Sequence, residues 1–201
     1  MNRACPINLI IAGIGGQGVY TLTQVFQKLC NQNDLKCQCS VFKGGAQKHG
    51  SIYSEMRIFI DSCAGYSMYS TQIPKDELDL IIGFEPFETY RFIEYMRPQT
   101  KIILNTVHVP FPSEILPSVK IQELLGSMAK ETSEIVKRDF TKDSIKQFGD
   151  ERMLNLLLGL EVIKLDYLPI NQSQYISCFI HQTEPDEVRK SAMRSFLKRE
   201  E

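Results

Sequence analysis

The chain has 201 residues, 43% hydrophobic and 23% charged, which suits one globular α/β domain and is too short for two generous ones. A chain of this size buries roughly 70% of the surface it would expose unfolded, so it needs neither metals nor disulfides to build a core. Its 23 Lys and Arg against 24 Asp and Glu leave a formal charge of −1, which removes any whole-molecule attraction to nucleic acid or an acidic membrane and makes any anion site local.

In chain order, Ile7–Ala12 is short, β-branched and followed by glycines, as expected of a strand buried on both faces. Gly13-Ile14-Gly15-Gly16-Gln17-Gly18 comes next, and Val19, Leu22, Val25, Phe26 and Leu29 then recur at helical spacing. The pattern is strand, glycine turn, helix. Lys36–Phe42 reads as a second strand and Lys43–Gly50 as a polar, glycine-rich loop. Ser51–Ile60 alternates, with Ile52, Met56, Ile58 and Ile60 on one side and Tyr53, Glu55, Arg57 and Phe59 on the other. Asp79–Gly83 is again an apolar strand. It leads through Phe84-Glu85-Pro86 into an amphipathic helix carrying Phe87, Tyr90, Phe92 and Ile93, with Pro86 suited to its first turn. Lys101–Asn105 is a further buried strand, and Pro110–Pro117 an ordered loop or edge. Gln122–Phe148 reads as charged helix, Arg152–Leu165 as an apolar helix and Pro185–Lys198 as a terminal helix capped by Thr183. No repeat or linker divides the chain, so a single domain over residues 1–201 is expected. Its sheet is mainly parallel and covered by helices on both faces, and its C-terminal part is helical. The loops after Ala12, Phe42, Gly83 and Asn105 gather at the carboxyl edge, where ligands meet such sheets.

The six cysteines, Cys5, Cys30, Cys37, Cys39, Cys63 and Cys178, contain no C-x₂-C spacing, so neither a zinc ribbon nor a ferredoxin-type cluster run is encoded. Met1–Pro6 lacks the basic-then-apolar layout of a secretory leader, and the thiols read as reduced, in a cytoplasm. Cys37 and Cys39, two apart in a strand, read as small buried hydrophobes. The longest apolar runs fall far short of the ~20 residues that span a bilayer. His49, His108 and His181 are too dispersed for a metal constellation, and His108 and His181 read as structural or exposed.

Gly13-x-Gly15-x-x-Gly18 has the dinucleotide spacing, and the helix after it directs partial positive charge at any bound phosphate. The second strand, however, ends in Ser40-Val41-Phe42-Lys43, with no acid to hold a ribose. Lys43 and Lys48 could meet a 2′-phosphate instead, or the glycines could simply allow tight packing. Lys43–Gly50 gathers two lysines, a histidine and an amide without a carboxylate, and is the candidate anion loop. Glu85 and Glu88 belong either to a favourable helix start or to a polar site or docking surface on the same edge.

Four linked motifs resemble one family. They are Ile11-Ala12-Gly13-Ile14-Gly15-Gly16-Gln17-Gly18-Val19, then Gly44-x-Ala46-Gln47-Lys48-x-Gly50-Ser51-Ile52 with Arg57, then Gly83-Phe84-Glu85-Pro86-Phe87-Glu88, then Asn105-Thr106 with Pro110. Their order and spacing are similar to the gamma subunit or domain of 2-oxoacid:ferredoxin oxidoreductases, and nearest to the small beta subunit of the indolepyruvate enzymes. The resemblance implies a three-layer α/β/α Rossmann-like fold and a subunit that is inactive alone. Thiamine diphosphate and iron–sulfur clusters are then expected in partner subunits, with ferredoxin reached indirectly and coenzyme A as a candidate ligand. On this reading Gly13, Gly15, Gly16, Gln17, Gly18, Lys43, Gln47, Lys48 and Ser51 lie nearest the cofactor cleft, and His49, Glu85, Glu88 and Asn105 form an interface or polar site.

The family commonly has Gln-Arg-Gly-Gly where this chain has Gln47-Lys48-His49-Gly50, so planar bidentate recognition is lost. The stretch 118–166 reads as a partly inserted helical region that alters a partner interface. Two other readings stand beside this one. One is a free-standing NADP-dependent reductase using the glycine turn, and the other a non-enzymatic nucleotide or coenzyme A binding module. An isolated subunit is expected to hide apolar surface by forming a homodimer.

Overall fold

Eight consecutive buried residues, Ile7–Ile14, form strand β1 at the middle of a six-stranded sheet. Its unbroken run of large apolar side chains follows from having helices over both faces. The structure is a computed structural model and describes residues 6–44, 50–60, 70–110, 118–132, 134–166, 168–183, 190, 191, 193 and 195. After β1 come helix α1 (Val19–Gln32) and the antiparallel pair β2 (Lys36–Lys43) and β3 (Ser51–Phe59). Then follow β4 (Leu80–Gly83), the short α2 (Pro86–Tyr90), β5 (Lys101–Asn105), α3 (Ser118–Glu131) and β6 (Glu134–Arg138). Helices α4 (Phe140–Phe148), α5 (Leu154–Lys164) and α6 (Gln172–Thr183) complete the described elements.

The strand order is β2-β3-β1-β4-β5-β6. β1, β4, β5 and β6 are mutually parallel, whereas β3 runs antiparallel to both β1 and β2. The sheet is therefore mixed, with parallel pairings in the majority. One face carries α1, α4, α5 and α6 over an apolar cluster that includes Leu9, Ile11, Phe26, Phe140, Leu158 and Phe179. The other carries α2 and α3 over Ile10, Ile81, Ile102, Phe92 and Met128. This is the expected three-layer α/β/α arrangement. Chain leaving β1 goes to one face through α1 and chain leaving β4 goes to the other through α2, so the β1–β4 boundary is where the winding reverses. A crevice is expected at the carboxyl end of such a boundary.

The second face is not purely apolar. Residues 70–79 cross it, held by buried polar groups. Glu55 accepts the Ile73 N–H at 2.8 Å, Asn8 donates its side-chain amide to the Glu77 carbonyl at 2.8 Å, and Asp79 accepts the Asn8 N–H at 2.8 Å while pairing with Arg97. Arg57 links Asn8 to the Ser70 carbonyl. Burial pushes the carboxyls of Glu55 and Asp79 above their usual range, partly offset by these hydrogen bonds.

Several elements depart from expectation. The stretch Gln122–Phe148, read as helix, is broken by β6, an edge strand whose exposed Glu134, Lys137 and Arg138 disguise it. The helix expected to carry Phe87–Ile93 ends at Tyr90 and continues only as a single 3₁₀ turn, Ile93–Tyr95. Thr183 is the last residue of α6 and donates to the Phe179 carbonyl at 2.8 Å; the residues it is expected to cap lie outside the described ones. Most of Pro185–Lys198 lies outside the described residues, as do residues 111–117, Cys5 and Cys63.

Candidate functional site

The glycine turn sits at the carboxyl end of β1, beside the reversal point. Its glycines answer to packing. A Cβ on Gly13 would lie 2.7 Å from the Phe84 Cβ, and one on Gly18 would lie 2.8 Å from the Asn155 Nδ2 in a backbone with φ of 101°. Gly16, at φ 100°, faces open space. The turn is also closed from within. Gly15 N–H donates to the Gly50 carbonyl at 2.8 Å, Gln17 N–H to the Ile14 carbonyl at 3.1 Å, and Gln17 Oε1 accepts the Ile14 N–H at 2.8 Å. The other end of the Gln17 amide reaches the Phe84 carbonyl at 3.5 Å, across to β4. Gln17 is thus a wedge between the two strands, and its amide is engaged inside the turn.

Helix α1 starts from this turn with no side-chain cap and no acid in its first turn. Its first helical bond is Leu22 N–H to the Gly18 carbonyl, so the N–H groups of Val19, Tyr20 and Thr21 precede the ladder. In front of the turn lies a cavity of about 390 Å³. It is lined by Ile14, Gly15, Gly16 and Gln17 of the turn, by Val107 and Val109, and by Thr141, Glu151, Arg152 and Leu154. A smaller space of about 220 Å³ lies on the other side of Gly16–Gly18, again reaching Arg152, whose guanidinium is held by Asp150 at 2.9 Å.

The acidic part of the edge is built on α2. Glu85 is its N-cap, accepting the Glu88 N–H through Oε2 at 2.9 Å, and its Oε1 meets His108 Nδ1 at 2.5 Å. Glu85 is 1% exposed, and burial raises its carboxyl against the opposing pull of His108 and the backbone donors. His108 Nε2 is buried without a hydrogen-bond partner. Glu88 accepts from Ser51 Oγ at 2.5 Å and pairs with Arg91 at 3.4 Å, and Ser51 is the register partner of Ile14. Asn105 is buried and donates to the Phe84 carbonyl and to Thr141 Oγ1, each at 3.1 Å, tying the end of β4 to the start of α4. Lys43 lies over the ring of Tyr20, 5.4 Å from its centre.

Structure therefore gathers Gly13–Gly18, Ser51, Glu85, Glu88 and Asn105 at one edge, with Lys43 at the end of β2 on its flank. Gln47, Lys48 and His49 lie outside the described residues. Sequence reading missed His108, Arg152 and the valine wall. Parallel pairing of Gly83 with Leu104 places the residues just beyond two neighbouring strands side by side, and that adjacency was the available signal for Glu85 with His108.

Residues 8–175 match the family described as pyruvate ferredoxin/flavodoxin oxidoreductase. Indolepyruvate oxidoreductase subunit IorB of Methanothermobacter thermautotrophicus is 27% identical over 175 residues, covering 85% of this chain and 84% of that protein. Among solved structures, pyruvate oxidoreductase subunit PORC of Thermotoga maritima superposes with a TM-score of 0.61 at 14% identity, covering 95% of this chain and 93% of that one. The 2-oxoglutarate:ferredoxin oxidoreductase of Magnetococcus marinus, with 2-oxoglutarate, coenzyme A and succinyl-CoA bound, gives a TM-score of 0.67 at 14% identity; it covers 97% of this chain, which spans 30% of that one. These structural likenesses speak to the fold.

Proposed function

The chain belongs to the pyruvate ferredoxin/flavodoxin oxidoreductase family, and on that premise we propose that it is the small, gamma-type subunit of a 2-oxoacid:ferredoxin oxidoreductase of the indolepyruvate kind. The observation that carries this is the near end-to-end correspondence with an indolepyruvate oxidoreductase subunit, 85% of one chain against 84% of the other. The subunit works in oxidative decarboxylation of a 2-oxoacid only when assembled with the subunits that hold thiamine diphosphate and the iron–sulfur clusters. Cluster ligation does not fit its own described residues. No group of three or more His, Cys, Asp or Glu side chains among them is placed to hold a metal ion, and Cys30 and Cys178 are buried in the core.

The cavity at the glycine turn fits part of coenzyme A. Val107, Val109 and Leu154 offer apolar surface for its pantetheine arm, and the uncapped start of α1, beside the smaller space that Arg152 also lines, suits a phosphate. Coenzyme A, when bound, supplies the thiol that takes up the acyl group. The chain's own residues bind and orient: Gln17 keeps the turn closed, and the Glu85–His108 contact fixes the segment that carries Val107 and Val109. Lys43 brings positive charge to the flank of this edge, while Ser51, Glu85, Glu88 and Asn105 are held together by their own hydrogen bonds and brace the edge on which the partner subunit would dock.

A free-standing NADP-dependent reductase has less support. β3 separates β2 from β1, so Lys43 lies two strand spacings, about 10 Å, from the glycine turn, and the Gly15 N–H is already taken by Gly50. Co-expression with a thiamine- and cluster-bearing large subunit tests the proposal. The expected result is a stable complex that reduces a viologen dye with an aryl 2-oxoacid, with neither part active alone. A chain that stays separate and oxidises NADPH would overturn it.

A further inference from the structure

The space of about 220 Å³ behind the glycine turn is lined by Gly16–Gly18 and Thr21 at the start of α1 and by Met153 and Asn155 at the start of α5, whereas Leu154 between them lines the larger cavity. Neighbouring residues of one segment thus serve two separate spaces. On the α1 side, the N–H groups of Val19, Tyr20 and Thr21 precede the helical ladder, and neither a side-chain cap nor a first-turn acid answers them. Asn155 is a second and independent sign, because it is only 6% exposed. Its Oδ1 accepts the Leu156 N–H at 3.0 Å, which fixes the orientation of the amide. Its Nδ2 lies against Gly18, where a Cβ would come within 2.8 Å of it. Among the described residues no acceptor takes the protons of that nitrogen. Asp150 also lines the space, but its carboxylate is held by the Arg152 guanidinium at 2.9 and 3.1 Å, so the pair adds no net charge.

We propose that this space is a phosphate-binding site in which Asn155 is the buried side-chain donor and the free N–H groups at the start of α1 complete the cradle. Donors converge here from a helix start and a side-chain amide, and the missing acceptor must take hydrogen bonds from both at once. A phosphate group does so through several oxygens, and its negative charge is favoured at a helix N-terminus. The volume is below the roughly 300–1,000 Å³ of pockets that enclose a whole small ligand, so a single phosphate group enters rather than an entire cofactor. Gly18 keeps the cradle open, since a side chain there would push against the Asn155 amide in a backbone with φ of 101°. The phosphate has two sources. One is coenzyme A, in which case the assignment rests on the functional reading above, and the other is free inorganic phosphate, which does not need that reading.

The test titrates the full chain with inorganic phosphate and with coenzyme A at low ionic strength and neutral pH, read by calorimetry and by amide NMR. The expected result is saturable binding that moves the backbone signals of Val19, Tyr20 and Thr21 together with the side-chain amide of Asn155. Asn155→Asp keeps the oxygen that accepts from Leu156 and puts an acid in the first turn of α5, where it suits the helix, so the variant should fold. It is expected to weaken binding by about tenfold or more, and Asn155→Leu to act in the same direction without adding charge. Displacement of phosphate by coenzyme A, or binding of coenzyme A alone, identifies the coenzyme as the source; phosphate that stays bound beside it identifies the free ion. Each of these supports the site. A folded chain that binds neither, unmoved signals at the start of α1, or an Asn155→Asp chain that binds as tightly as its parent would overturn it. Phosphate binding by a chain that joins no large subunit would leave the site standing and the functional reading fallen. An active complex whose affinity for coenzyme A ignores Asn155→Asp would do the reverse.

Discussion

On one face of the sheet, α1, α4, α5 and α6 close over side chains with almost no polar content, and α5 is buried nearly all round. Its few buried polar groups are satisfied locally: the Tyr175 hydroxyl donates to the Asn155 carbonyl at 3.1 Å and the Thr23 hydroxyl to the Val19 carbonyl at 2.9 Å. On the other face, residues 70–79 and the end of β4 are fixed through Asn8, Glu55, Arg57, Asp79 and Arg97. The first face depends on volume and shape, which pH does not alter. The second depends on carboxyls whose proton affinity is raised by burial. Such a group binds its proton more tightly folded than unfolded. Its contribution is therefore complete below the ordinary carboxylate range and is lost as pH rises through the folded-state value. One molecule thus contains a pH-indifferent half and a titrating half.

The largest expected effect belongs to the first face. Phe26→Ala removes a fully buried ring from the α1 layer and is expected to cost about 3–5 kcal/mol. Urea unfolding at pH 5 and pH 8 should give the same loss, and a loss that changes with pH would break the contrast. Next comes Asp79→Ala, which leaves Arg97 and the Asn8 N–H without their acceptor; the expected cost is about 2–3 kcal/mol, read from the same curves. Glu55→Gln sharpens the contrast, because it keeps an oxygen for the Ile73 N–H and removes the ionisable proton. It should raise stability at pH 8 and leave it unchanged near pH 4; a variant less stable than the parent at pH 8 would sink the titration account. Smallest is Lys43→Ala, outside both layers. Its contact with the half-exposed Tyr20 ring is expected to contribute about 0.5 kcal/mol, close to the resolution of thermal melts.

The same division governs what could be read from sequence. β1, β4 and β5 are legible because a strand buried on both faces must be a short apolar run closed by turn residues. The glycine turn is legible too, although its glycines turn out to answer to Phe84 and Asn155. β6 is hidden, since an edge strand carries the charges that also suit an exposed helix. α6, with the sequence QSQYISCFIHQT, has too even a mixture of polar and apolar residues to announce a face. At the site, Glu85 could be placed at a helix start from Pro86 alone. Its partner His108, 23 residues away, comes into reach only through the pairing of β4 with β5. Local patterns carry the elements, and long-range polar contacts become visible only once the sheet has an order.

The position of β3 between β1 and β2 also dictates a sequence of events. β1 cannot pair with β2 directly, and its other neighbour, β4, begins at Leu80. During synthesis both edges of this very apolar strand stay open until Phe59 has been made, a wait of about 2–9 s after Ile14 at about 5–20 residues per second. An open edge of this kind is a template for pairing with other chains. Docking of the β2–β3 hairpin on β1 closes one of those edges, and the other stays open until β4 is made, so the hairpin halves the exposure of the nascent strand before it serves as a wing of the finished sheet.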